Sequence, residues 1–328
     1  MSAPHLTTRS LPPSDEVSRA VRSVLAGELI DNAAGRIGMH PTALMDAVHV
    51  FTQAGTEALR RQDRRTEWAQ FYVEFTDWAA AEQITGAHLV PILNKVKGSE
   101  TTALWWFIRK HPCWRLRVHG GPADLIRTEL DKLVQAGHLR RWWPGNYEPE
   151  TAAFGGTSGM LSAHLLFAAD SSHILNHADV PLGRRELSVV LCTIMIRAAG
   201  LEWYEQGDVW GRVVNEEQRS DTSAVSAEQL DGLTRQIRQL LVSDVSHEGP
   251  LFGPGAPLQP VVSWADAFRR TGSALKADVQ AGTLERGLRR VLAYQVIFHW
   301  NRLGLSLGAQ SAMALAARNA VLDPPTEV

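Results

Sequence analysis

The segment that decides the fold is LWWFIRKHPCWRLRV, residues 104–118, continued by PADLIRTELDKLVQAG (122–137) and LRRWWPGNYEPE (139–150). Side chains two apart on a strand point the same way. A strand over 103–110 therefore places Trp105, Phe107 and Arg109 on one face and Trp106, Ile108 and Lys110 on the other. His111-Pro112 ends it, and a second strand sets Trp114, Leu116 and Val118 against a basic ladder of Arg115, Arg117 and His119. Gly120-Gly121 turns the chain into a helix over 122–136 that Gly137 closes, and Leu139 to Trp143 returns as a strand. Strand, helix, strand with helices leaning on a mostly antiparallel sheet is an α+β pattern.

Outward from this segment the chain reads mostly as helix. Residues 1–14 form an arm, Asp15 to Ala26 a helix, and Asp31 to Gly35 a short amphipathic piece. Pro41 opens a helix with Leu44, Ala47, Val48, Phe51, Ala54, Ala58 and Leu59 at helical spacing. This gives a helical N-terminal extension over 1–65 and a main domain over 66–328, whose C-terminal part is again helical. The 31–51 stretch has a helix-turn-helix look, but its second helix carries Asp46 and no Arg or Lys before Arg60. Major-groove reading asks for the opposite, so a helical cap is expected rather than a DNA reader. Glu67 to Thr76 alternates as a strand, and Asp77 to Val90 reads as a helix closed by Pro91. Helices are expected over 158–177, 187–203 and, from the Ser226/Gln229 capping box, 226–242. A last helical pair, 263–280 and 283–319, breaks near Gly304. LEWYEQGDVWGR (201–212) gathers acids and tryptophans around Gly207 and reads as a substrate loop.

Composition narrows the classes. A net charge of -2 gives no overall field toward nucleic acid or membrane. Cys113 and Cys192 stand far apart with no ligand spacing, which points to a reducing cytoplasm and no structural zinc. No signal peptide is expected, since residues 1–20 hold Arg9, Asp15 and Glu16 and no apolar core. The apolar run 187–196 is half of what a membrane span needs. Eleven tryptophans, several in polar contexts, favour a groove for flat or apolar ligands.

Four ordered motifs then carry a resemblance. WWFIRKHPCWRLRV (105–118), YEPETAAFGG (147–156), LLFAADSSHIL (165–175) and FHWNRLGL (298–305) resemble signatures of the C-terminal, elimination-type domain of class I lantibiotic dehydratases. Residues 31–59 are similar to the helical extension of stand-alone thiopeptide-type members. In eliminating members the resemblance implies an arginine ladder, matched by Arg115 and Arg117, plus a further arginine and a histidine. Those two positions hold Ala153 and Ile297 here, so glutamate elimination is disfavoured. An FGG without the preceding arginine and an AH-x-LF-x-x-DS helix look instead like thiopeptide pyridine synthases. That branch implies a formal [4+2] cycloaddition of two dehydroalanines in a thiazole-bearing precursor peptide, with loss of water and release of the leader as a carboxamide. Such a lyase-like reaction is largely an orientation problem and calls for no cofactor, metal or nucleotide.

The candidates follow. Asp170 and Ser171 interrupt an apolar helix near its end; the carboxylate would polarise the reacting amide, or else serve as a cap or as a buried partner of an arginine. Tyr294 and Gln295 would donate to an iminol oxygen, and His299 would carry a proton. Asn301 and Arg302 read as architectural. Arg115, Arg117, Trp105, His164, Asp208 and Trp210 are assigned to substrate. One cleft should then join Arg115, Asp170 and Tyr294. The partner is a leader-bearing peptide, with no nucleic acid or membrane, and a homodimer is compatible with the resemblance. An eliminating subunit and a non-catalytic peptide-binding protein are the competing readings.

Overall fold

A computed structural model describes residues 12–99, 104–121, 123–176, 179–216 and 226–323. The chain divides into two compact units between Glu67 and Trp68.

The first unit holds α1 (Ser14–Leu25), α2 (Ile30–Arg36) and α3 (Pro41–Glu67). Asp15 and Glu16 in the first turn of α1 and Arg22 in its last complement the helix dipole. Ala20, Val21, Ala33, Ala34, Leu44 and Val48 form a core of their own. Alanines on α2 let the helices close up, which a unit this small requires.

The second unit opens with β1 (Trp68–Phe75). α4 (Ala81–Ile84), a π-helical turn (Thr85–Leu89) and α5 (Val90–Ser99) then run on as one helical segment past Pro91, where the sequence predicts a stop. A proline removes one backbone donor and crowds the preceding turn; the widened turn ahead of it takes up that defect. Next come β2 (Leu104–Lys110), β3 (Cys113–His119), α6 (Ala123–Gln135) and β4 (Leu139–Gly145). The sheet is antiparallel in the order β2-β3-β1-β4. Trp105, Phe107, Leu116, Phe71 and Trp142 share the face on which α6 lies, where the Trp142 indole donates to Asp131 at 2.9 Å.

The opposite face meets a helical assembly of α7 (Thr157–Asn176), α8 (Arg184–Ala198), α9 (Trp203–Asn215), α10 (Ala227–Val242), α11 (Val262–Gln280), α12 (Leu288–Leu303) and α13 (Leu307–Leu322). Every residue of α8 from Leu187 to Ile196 is buried. That helix ends before the predicted Trp203, because Gly200 at φ +83° adopts the left-handed conformation that terminates helices. Gly304 at φ +76° does the same between α12 and α13.

The predicted substrate loop at 201–212 is instead the body of α9, opened by a Glu202/Glu205 capping box. Gly207 serves packing: a Cβ there would lie 2.8 Å from Val321 and Leu322 of α13. The tryptophans mostly fill the core. Trp105, Trp106, Trp114, Trp210, Trp264 and Trp300 are buried, and the other five are half-buried. Both cysteines are free and buried. Among the described residues no helix is long and apolar enough to cross a membrane.

Candidate active site

Strand register builds the site. Trp106, Arg117, Gln70 and Gly145 occupy one row across β2, β3, β1 and β4, on the face opposite α6. Gln70 bridges two neighbours: its Nε2 donates to Asn146 O at 3.0 Å and its Oε1 accepts from Arg117 Nε at 2.7 Å. Gly145 makes this fit, because a Cβ there would collide with the Tyr72 ring and crowd the Gln70 amide. The Arg117 guanidinium lies between the Trp106 and Tyr147 rings, 4.2 and 4.3 Å from their centroids. It is only 4% exposed, and its Nη1 is buried without a hydrogen-bond partner among the described residues. Burial lowers its pKa, yet an arginine retains its charge. The result is a desolvated cation, held by π faces, with a donor to spare.

Beside it, α7 contributes His164 and the loop after β4 contributes Tyr147. The phenolic oxygen sits 2.7 Å from His164 Nε2. Trp68 packs over both rings at 4.7 and 5.2 Å and reaches His119 at 5.0 Å. Burial, aided by the charge of Arg117, depresses His164 to about 3, and burial raises the Tyr147 phenol above its ordinary range. Both groups are therefore neutral near pH 7, with one proton between oxygen and nitrogen. Glu150 from the same loop feels the Arg117 charge and leaves Oε2 buried and unpaired among the described residues. Gly155 and Gly156, at φ +82° and +96°, turn that loop into α7, and Glu285 N–H holds it through Gly155 O at 2.9 Å.

The other sequence candidates fall elsewhere. Asp170 lies within α7, not near its end, and has no exposed surface. It accepts from Trp264 Nε1 at 2.9 Å, His299 Nδ1 at 2.9 Å and Arg302 Nε at 2.7 Å. Burial works to raise this carboxyl, but His299 and Arg302 outweigh it and hold the pKa below the usual value. This hub ties α7, α11 and α12 together, and His299 Nε2 and both Arg302 Nη atoms are buried in it without a hydrogen-bond partner among the described residues. Ser171, equally enclosed, accepts the edge-strand N–H of Phe107 at 3.2 Å. Gln295 is fully buried on α12, with neither amide atom hydrogen-bonded among the described residues.

Trp105 points to the α6 face, so Trp106 is the ring that meets Arg117. Trp210 is enclosed against Trp300 at 5.9 Å, and Asp208 is engaged by Arg212 and Arg289 at 3.0 and 3.1 Å. Tyr294 donates to Glu216 at 3.1 Å under the Arg286 guanidinium. Among the described residues a relay of rings, Phe154, Phe167 and Trp106, links it to Arg117. The expected cleft joining Arg115, Asp170 and Tyr294 is thus replaced by a site around Arg117 and His164, with Arg115 on the adjoining row. Sequence reasoning passed over Gln70, Tyr147 and Glu150; the last two stand inside the quoted YEPETAAFGG motif, which was the available signal. Among the described residues no cluster of metal-ligating side chains forms.

Ala153 lies half-buried in the turn before Gly155, and Ile297 is 1% exposed on α12. The imidazole next to Arg117 therefore comes from α7, not α12.

No curated protein matches the chain. Solved structures that share the fold include three that bear on the family. The tRNA-dependent lantibiotic dehydratase MibB from Microbispora sp. 107891 superposes with a TM-score of 0.54 at 18% identity, over 78% of this chain but only 28% of MibB. TsrL gives a TM-score of 0.54 at 14% identity over 77% of this chain and 94% of its own. TbtD, a pyridine synthase from thiomuracin biosynthesis, gives 0.51 at 14% identity over 78% of this chain and 98% of its own. Residues 68–321, beginning at the first residue of the second unit, match the family described as lantibiotic biosynthesis dehydratase C-term, and the chain belongs to that family.

Proposed function

We propose that the protein is a peptide-modifying enzyme that forms a pyridine by formal [4+2] cycloaddition of two dehydroalanines in a precursor peptide. The observation that carries this reading is the buried Arg117 beside the neutral Tyr147–His164 pair. One amide must become its iminol tautomer to act as the azadiene, which moves a proton from nitrogen to oxygen. Arg117 Nη1 donates to that oxygen, and the Tyr147–His164 pair relays the proton. Trp68 packs on the His164 and Tyr147 rings and Trp106 backs the Arg117 guanidinium, which keeps water from the pair. Loss of water and expulsion of the leader as a carboxamide then aromatise the ring.

Glutamate elimination is the competing reading. One observation favours it: a guanidinium and an imidazole do share this site, although the imidazole comes from His164. The experiment is mass spectrometry of two separate incubations, one with a thiazole- and dehydroalanine-bearing precursor and one with a glutamylated peptide. Cyclisation yields a free leader amide and a core lighter by water. Dehydroalanine appearing in the glutamylated peptide, with the first precursor unchanged, overturns the assignment.

A further inference from the structure

One row outward from Arg117, the same sheet face carries a second construction. Arg115, Tyr72 and Trp143 are cross-strand neighbours on β3, β1 and β4. The Tyr72 and Trp143 rings are parallel, 5.2 Å apart at 11°. Arg115 covers the Tyr72 ring at 5.5 Å, and Arg141 covers the Trp143 ring at 5.0 Å. The four side chains make a comb of cation, ring, ring, cation on the sheet, with Arg115, Tyr72 and Trp143 half-buried and Arg141 exposed. Arg141 and Arg140 flank Glu74 at 2.7 and 3.4 Å, whereas Arg115 makes no ion pair among the described residues. Three arginines thus stand against one carboxylate.

A guanidinium stacked on a ring loses little further freedom on binding and keeps its N–H donors in its own plane for an incoming oxygen acceptor. β3 and β4 lie two strand spacings apart, about 10 Å. Carboxylates separated by that distance belong to a stretch of chain and not to one residue. Along β3, Arg115 is two residues from Arg117, about 7 Å, so whatever lies on the comb is continuous with the Arg117 site.

We infer that this comb docks an acidic segment of the peptide substrate and delivers the adjoining residues to Arg117. The inference rests on the peptide-substrate reading above and adds the subsite and its chemistry. Charge complementarity selects the occupant, and the paired rings supply apolar surface between the two cationic ends.

The test measures binding of a short labelled acidic peptide, and of its Asn/Gln counterpart, to the full chain by fluorescence anisotropy. The acidic peptide should bind at least about tenfold more tightly and weaken as salt rises. Arg115→Gln and Trp143→Leu should each cost about fivefold or more, with circular dichroism unchanged. Lys132→Gln, on the α6 side of the sheet, should change nothing. Equal binding of both peptides, full affinity in Arg115→Gln, or tighter binding of a single-stranded RNA overturns the inference. Tyr147→Phe separates the two claims. Lost turnover with retained acidic-peptide affinity leaves the comb standing, and a chain that discriminates acidic peptide yet never cyclises its precursor fails only the reaction assignment.

Discussion

Tyr147 Oη lies 2.7 Å from His164 Nε2, joining the loop that leaves β4 to the first half of α7. Neither group titrates near neutrality, since burial pushes the imidazole down to about 3 and the phenol up. A neutral donor–acceptor pair next to a fixed guanidinium can move a proton without creating a buried charge.

If that pair relays the proton, Tyr147→Phe should lower kcat about 100-fold or more while acidic-peptide affinity holds. Arg117→Gln should lower kcat by a similar factor, because a positioned donor is lost. Turnover followed by mass spectrometry checks both. Weaker binding at equal kcat would reassign either residue to substrate capture.

The depressed His164 gives a pH prediction. Its folded value, about 3, lies below the unfolded value of 6.5, so the unfolded chain binds the extra proton between them. Stability is therefore fully present above about pH 6.5 and falls as pH drops toward 3. Between pH 6.5 and 4.5 this one group should cost about 2 kcal/mol. Urea midpoints should fall further between pH 7.5 and 4.5 for the wild type than for His164→Phe. Parallel pH curves would contradict the buried neutral imidazole.

The Asp170 hub predicts a stability phenotype. Asp170→Asn leaves Arg302, with no exposed surface, short of its counter-charge and should cost about 3–5 kcal/mol. The double variant Asp170→Leu/Arg302→Met should recover much of that loss, because two desolvated charges leave together. Denaturant unfolding of the single and double variants measures the coupling. A single variant of normal stability that lacked turnover would restore a catalytic role to Asp170.

Gly207→Ala distinguishes the packed helix from the predicted loop. Alanine gains about 1 kcal/mol in an open helix interior, but here its Cβ would press on Val321 and Leu322 at 2.8 Å. Overpacking of this kind costs about 1–3 kcal/mol. The thermal midpoint should fall while acidic-peptide affinity stays unchanged.

The fold was legible wherever a local pattern carried it. Alternation in 104–118 set both strands, their faces and the basic ladder; the Ser226/Gln229 box opened α10; and glycine marked the α12–α13 break. Misreadings arose where a local signal meets a tertiary answer. Pro91 stops a regular helix, but a π turn absorbs it. Gly207 reads as a loop residue until α13 is seen against it.

By itself the sequence determined the α+β class, the helices before residue 67 and the family motifs, and it singled out Arg117 and His164, which the structure brings close together. Only the tertiary structure decided which polar residues meet around Arg117 and which are tied into the helical assembly. Asp170 and His299 have the chemistry of an acid/base pair, but packing of α7, α11 and α12 encloses them and hydrogen-bonds the carboxylate from three sides. Tyr147, Gln70 and Arg117 lie far apart in sequence and meet because antiparallel register aligns β1 with β3 and the chain leaving β4 folds back over them. Side-chain chemistry is local, but burial and register are pairings between distant segments, and no reading of one segment contains them.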